Sequence, residues 1–384
     1  MTIPTAPILA SGRVHWIGTG MSTGSGLGLV CDGATTFLWG RTVEKAEGRL
    51  AALGLAGRAE SRAFTYAALA AELTEGDVVV SMLPAAEHPE LLRLAIEHRS
   101  HFVCSSYVSQ GIAQQGAEAA AHGLIVLTEI GLDPGLDHLF AHELVRKAEA
   151  VTGGSGATVR FTSYCGSNPL VPNDFRYRFS WAPRGVLTAL LTPARVIDGG
   201  AETVVTRPWE GVQARVVGGE TFEVYPNRDS IPFIRSYNFP ETWKVETFVR
   251  GTMRLDGWSD AWRSVFAELP NASDERITDL ATELAESHPT SATDHDRVVM
   301  VVSLEVRMND GGFWSGEYTF DAVGNGVEAA TPRLVSVPLA CGILEVTAGR
   351  VAPGLHQATD DPDTIERWLA YLSAKDITAS YRGD

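Results

Sequence analysis

The chain has 384 residues, enough for two domains with cores of their own. Its 45% hydrophobic and 20% charged residues are an ordinary globular mixture, which sets aside disordered and fibrous classes. A formal net charge of −16 sets aside a nucleic-acid partner, which wants a basic stripe, although a few convergent arginines can still build a local site for an anionic small molecule.

In chain order, residues 14–18 form an apolar run that ends in a glycine-rich turn, the pattern of a buried strand. Strands are expected at 36–39, 77–83, 101–105 and 124–128. Helices are expected at 43–53, 66–73, 89–98 and 112–122. Strands alternating with helices imply right-handed crossovers and a parallel sheet. A helix over 139–149 leads to the joint at 152–156, rich in Gly and Ser. Alternating segments follow at 158–164, 203–206, 221–225, 244–254 and 298–308, which suggest a mostly antiparallel sheet. Apolar-faced helices are expected at 334–347 and 361–374. The fold class is therefore α/β: a Rossmann-type parallel-sheet domain over 1–138, an inserted α+β substrate and dimerisation domain over 139–330, and C-terminal helices over 331–384 that return to the first domain.

The longest apolar runs are strand-sized, so no membrane span is expected. Residues 1–12 hold no basic stretch ahead of an apolar core, so no secretion leader is expected. Cys31, Cys104, Cys165 and Cys341 lie far apart with no C-x-x-C pair, which points to a reducing, cytoplasmic compartment. The histidines show no ligand spacing, so no metal is expected.

The turn Gly18-Thr19-Gly20-Met21-Ser22-Thr23-Gly24 stands between the first strand and the first helix. Gly18 suits the tight turn, and Gly20 lets the backbone approach a pyrophosphate at the helix N-terminus, beside Met21 and Ser22. Thr23 stands where a third small residue is expected, so the fingerprint is imperfect. The next strand ends Gly40-Arg41-Thr42, with no carboxylate for a ribose 2′-hydroxyl. Arg41 can instead pair with a 2′-phosphate while Thr42 donates to it, which favours NADP over NAD.

Further strings carry a family pattern: Val80-Ser81-Met82-Leu83-Pro84 with His88; Ser105-Ser106-Tyr107; Glu129-Ile130-Gly131-Leu132-Asp133-Pro134-Gly135-Leu136-Asp137-His138; Tyr164-Cys165-Gly166; Phe179-Ser180-Trp181 with Arg184; Tyr225-Pro226-Asn227-Arg228-Asp229-Ser230; and Arg250-Gly251-Thr252. Together they resemble the saccharopine dehydrogenase (NADP, L-glutamate-forming) family, also called saccharopine reductase, over nearly the whole chain. Such enzymes join L-glutamate and 2-aminoadipate 6-semialdehyde through an imine, reduce it with NADPH, and run the reverse oxidation. The resemblance implies substrate contacts at Ser106, Tyr107, Asp133, Arg228, Arg250, Gly251 and Thr252. It places Cys165 near the reacting centre. It implies cofactor contacts at Leu83, Leu132, Gly135, His138 and Ser180. By analogy, a homodimer through the second domain's sheet is expected. The chain looks shorter than the fungal reductases, and carboxynorspermidine dehydrogenases and lysine 6-dehydrogenases share much of the framework.

The same residues also have plainer readings. Asp133 before Pro134 has the form of a helix N-cap, or it serves the crevice by binding an amine or relaying a proton. Tyr107 follows a sheet strand and faces the same crevice, or is a half-buried tyrosine. Cys165 reads as a small buried hydrophobe, with no covalent step. Arg228 suits a carboxylate or pairs with Asp229. The expected site is an acid/base and arginine crevice between the domains, for a substrate with several carboxylates, with Tyr107, Asp133 and Cys165 at its reacting end. The alternatives are a diamine-type reductase, a lysine 6-dehydrogenase, or a non-catalytic NADP-binding sensor.

Overall fold

The computed structural model describes residues 6–290, 295–326 and 328–383, so the start of the stretch read for a leader, 1–5, lies outside them. The chain divides into two compact units: Met1–Leu136 with Pro332–Ile377, and Asp137–Thr331 with Thr378–Asp384.

The first unit alternates β1 (Arg13–Ile17), α1 (Gly26–Gly33), β2 (Thr35–Gly40), α2 (Val43–Ala52), β3 (Glu60–Ala63), α3 (Tyr66–Glu72), β4 (Val78–Ser81), α4 (His88–Glu97), β5 (His101–Cys104), α5 (Gln110–Ala121) and β6 (Ile125–Leu127). Side chains start the helices: Thr42, Thr65 and Ser109 accept the backbone N–H three residues on. Strands β1, β4 and β5 are covered on both faces, which is why they read as apolar runs. β3 was not expected from its polar Glu-Ser-Arg-Ala. It is an edge strand, with Arg62 bonded to Glu60 and Glu72.

The second unit holds α6 (Leu136–Thr152), β7 (Ala157–Pro169), α7 (Pro183–Leu191), β8 (Ala194–Asp198), β9 (Ala201–Val205), β10 (Gln213–Val217), β11 (Glu220–Pro226), α8 (Pro232–Ser236), β12 (Trp243–Leu255), α9 (Trp258–Ala261), α10 (Arg263–Glu268), α11 (Asp274–Ser287), β13 (Asp296–Met308) and β14 (Phe313–Val323). The chain then re-enters the first unit with α12 (Ala330–Thr347), β15 (Gly354–His356) and α13 (Pro362–Ser373), and ends on β16 (Ser380–Gly383), paired with β14.

The first sheet runs β15-β6-β5-β4-β1-β2-β3, with every pair parallel. Strand order reverses between β1 and β4, so the carboxyl ends of these two strands flank the switch point where nucleotides bind. The second sheet runs β10-β11-β12-β7-β13-β14-β16, with β8 and β9 branching from β12. Only β12 with β7 is parallel; the other pairs are antiparallel. The α/β reading therefore holds. The helices from α7 to α11 were not expected. α7, α9, α10 and α11 form around a buried aromatic cluster that includes Phe175, Tyr177, Tyr225, Trp258 and Trp262, contacts made at long range, while α8 packs its Phe233 against His138 and Tyr237.

Candidate active site

The glycine turn opens the site. Gly18 has φ 123, and a Cβ there would lie 2.9 Å from the Met82 carbonyl oxygen, so no other residue fits without displacement. Thr23 is buried: its Oγ1 accepts from Trp16 Nε1 at 3.2 Å and donates to the Gly18 carbonyl at 2.9 Å. It ties the turn from inside. The close approach that a third glycine usually serves falls to Gly26, whose added Cβ would stand 1.9 Å from the Ser336 carbonyl oxygen of α12. Gly20 and Met21 are left exposed.

Beside the turn lies a shallow depression of about 510 Å³, lined by Thr19, Thr42, Lys45 and Arg49 among others. Arg41, at the tip of β2, is exposed. Thr42 accepts from Lys45 N and donates to Glu44, whose carboxylate is thereby held below its ordinary range. Lys45 and Arg49 were missed by the sequence reading. The signal was there: 42, 45 and 49 share one face of α2. With Arg41, this donor set fits a ribose bearing a 2′-phosphate.

Polar groups gather past the carboxyl ends of β4, β5 and β6. Tyr107 Oη donates to Asp133 Oδ1 at 2.6 Å. His88 bridges two serines, with Nδ1 2.8 Å from Ser81 Oγ and Nε2 2.8 Å from Ser106 Oγ. Burial pushes His88 down to about 4, so its ring is neutral at pH 7, one nitrogen donating and the other accepting. Glu129, 1% exposed, accepts from Val108 N and Gln357 Nε2, both at 2.9 Å. Leu83 is half-buried just beyond β4, and Leu132 is buried beside Asp133. The N-cap reading of Asp133 is corrected: α6 starts at Leu136, because Gly135 at φ 148 is far from helical and Leu136 N returns to the Gly131 carbonyl.

In the second unit, Arg250 Nη2 donates to Asp137 Oδ2 at 2.6 Å, with its guanidinium 4.0 Å from the Phe233 ring centre. His138 Nδ1 lies 2.8 Å from Tyr237 Oη, and its ring stacks on Phe233. Gly251 is bare because a Cβ would meet the Tyr225 carbonyl oxygen at 2.3 Å. Thr252 pairs across the sheet with Cys165 on one side and Tyr225 on the other. Cys165 is 8% exposed, as a packed thiol would be. Arg228 is exposed at φ 61. Asp229 is taken by Arg195 Nη1 at 2.6 Å. Arg184 pairs with Asp274 on the surface. Ser180 is buried, and its Oγ has no hydrogen-bond partner among the described residues.

Residues 14–127 match the family model described as the saccharopine dehydrogenase NADP binding domain, and residues 131–377 match the saccharopine dehydrogenase C-terminal domain. The chain belongs to the saccharopine dehydrogenase family. The resemblance drawn from the motifs thus holds, and so does NADP as the cofactor of its first domain. A saccharopine dehydrogenase (NADP+, L-glutamate-forming) of Pyricularia oryzae is 35% identical over 250 residues, 62% of this chain and 54% of its own. The enzyme of that name from Saccharomyces cerevisiae is 38% identical over 194 residues, 49% of this chain and 42% of its own. The chain spans about half the length of these curated relatives. The solved apo saccharopine dehydrogenase (L-Glu forming) of S. cerevisiae shares the fold, with a TM-score of 0.81 at 24% identity, over 97% of this chain and 99% of that one. No helix among the described residues is long and apolar enough to cross a membrane.

Proposed function

We propose that this member of the saccharopine dehydrogenase family is an NADP-dependent oxidoreductase acting on the CH–NH bond of saccharopine, joining L-glutamate to 2-aminoadipate 6-semialdehyde or parting them. The observation that carries the reading is the Tyr107–Asp133 hydrogen bond at the carboxyl end of the sheet that bears the cofactor turn. The names of the relatives support the same reaction.

NADPH, when bound, supplies the hydride. Gly18 and Gly20 admit its pyrophosphate beside Met21 and Ser22, and Arg41 and Thr42 hold its 2′-phosphate. Leu132, Gly135, His138 and Ser180 serve its nicotinamide half, and Leu83 is a further cofactor contact. Asp133 holds the substrate amine by its carboxylate, and Tyr107 steers that carboxylate by donating to it. Ser106 offers a hydroxyl whose direction is fixed by neutral His88. Arg228 takes a substrate carboxylate, with Arg250, Gly251 and Thr252 forming the strand beside it. Cys165 packs near the reacting centre without forming a bond to substrate. Residues 1–138 bind the cofactor, 139–330 bind the substrate, and 331–384 complete the first domain, apart from 378–384, whose β16 extends the second unit's sheet. The enzyme works in the cytoplasm as a homodimer. Light scattering at the mass of two chains, and a fluorescent fusion excluded from organelles, are the expected results for those last points.

The deciding assay mixes purified protein with NADPH, L-glutamate and the semialdehyde and follows the nicotinamide absorbance. Oxidation is expected. Turnover only with a diamine and aspartate semialdehyde, or only of lysine with NADP+ in place of NADPH, would reject the substrate. NADPH binding without turnover on any of these would make the protein a sensor.

A further inference from the structure

Strand β12 places Arg250, Thr252 and Arg254 on one face, since alternate residues share a side. Arg250 has its counter-charge in Asp137. Arg254 has none: no carboxylate among the described residues pairs with it, although only 7% of the residue is exposed. Its guanidinium stands 4.8 Å from the Tyr177 ring centre, 5.7 Å from Trp258 and 5.9 Å from Tyr225. Nη1 donates to the Met253 carbonyl at 3.1 Å, and Nε is buried without a hydrogen-bond partner. The acid directly across the sheet is Glu223. Its oxygens are taken by Gly257 N, Ser259 N and Ser259 Oγ. Tyr225 Oη also hydrogen-bonds the guanidinium, but neither phenol is a counter-charge, because burial raises both tyrosines above their ordinary range and keeps them neutral.

A buried cation without an anion is unfavourable, and ring faces offset only part of that. We infer that Arg254 binds a carboxylate of the substrate, so that the aromatic cage is a preformed anion site on the same strand face as Thr252. The inference rests on the proposed polycarboxylate substrate and adds to it a residue that selects for charge. A guanidinium suits the task because its planar fork meets both carboxylate oxygens.

The test titrates the full chain, loaded with NADP, with saccharopine and separately with glutarate, by calorimetry and by tryptophan emission, since Trp258 borders the site. Arg254→Gln is expected to weaken saccharopine binding roughly 10- to 100-fold, Arg254→Lys less, with NADP affinity unchanged. Equal saccharopine affinity in folded Arg254→Gln overturns the assignment. Should that variant not fold, the wild type decides. Glutarate must change its emission saturably and 1,5-diaminopentane must not; no saturable response to glutarate also overturns it. If saccharopine fails to bind but glutarate binds in an Arg254-dependent way, the saccharopine reading falls and the anion site stands. If saccharopine turns over with an affinity indifferent to Arg254, the reading stands and the site falls.

Discussion

Replacing Arg250 by Met would take from Asp137 its 2.6 Å guanidinium partner and leave His138 Nδ1, at 3.6 Å, beside it. Asp137 is fully buried and Arg250 is 6% exposed, so water cannot take the guanidinium's place at 2.6 Å. Removing one partner of such a pair destabilises by about 3–5 kcal/mol, because the remaining charge stays desolvated. The loss includes the cation–π contact with Phe233. For a unit of this size, about 2–4 °C of melting temperature per kcal/mol puts the fall at roughly 6–20 °C. Adding Asp137→Asn should restore most of it, since a neutral pair carries no stranded charge. The assay is thermal unfolding of wild type, both single variants and the double variant, with NADPH affinity as a control on the first unit. A fall below 2 °C for Arg250→Met would refute the reasoning. So would a double variant no more stable than Arg250→Met, which would mean that the lost stability came from packing rather than charge.

Arg41→Ala should weaken NADP binding roughly 10-fold and leave NAD unchanged; a fluorescence titration in which both cofactors weaken equally removes Arg41 from the 2′-phosphate. Tyr107→Phe deletes the donor to Asp133 and should lower kcat/KM about 10-fold at constant NADPH affinity; an unaltered kcat/KM would take the pair out of the reaction. Burial pushes His88 and His101 to about 4 from 6.5. Between these values the unfolded chain binds protons that the folded chain refuses, so stability falls as pH drops from 6.5 towards 4, by about 1.4 kcal/mol per pH unit for each histidine. Thermal unfolding should show a shallower pH slope for His88→Asn than for wild type; an identical slope contradicts this.

The first sheet was readable because strands covered on both faces, such as Val78–Ser81, cannot avoid an apolar run. β3 and β15 were not, since three or four residues at a sheet edge take their form from a neighbour, and β15 has its neighbour over 200 residues upstream in β6. Of the two readings open for Asp133, the cap fails although the Asp-Pro string is a good cap in sequence, because the conformation of Gly135 that delays the helix is invisible there. The arginines divide in the same way. The family strings marked Arg184 and Arg250 alike, but only coordinates show that Arg184 pairs with a carboxylate on the surface, that Arg250 does so in the interior, and that Arg254, passed over in the sequence, is buried without one.

The first unit is made in two parts, with residues 137–331 of the second unit between them. Until Gly354–His356 is made, β6 has an open edge, and until Ser336 exists Gly26 has no hydroxyl to accept its N–H. At ribosomal speed the wait is roughly 10–50 s. A nascent chain therefore carries a half-built nucleotide fold through the synthesis of residues 137–331 of the second unit. A stop codon between β6 and β15 releases that fold with its sticky edge exposed.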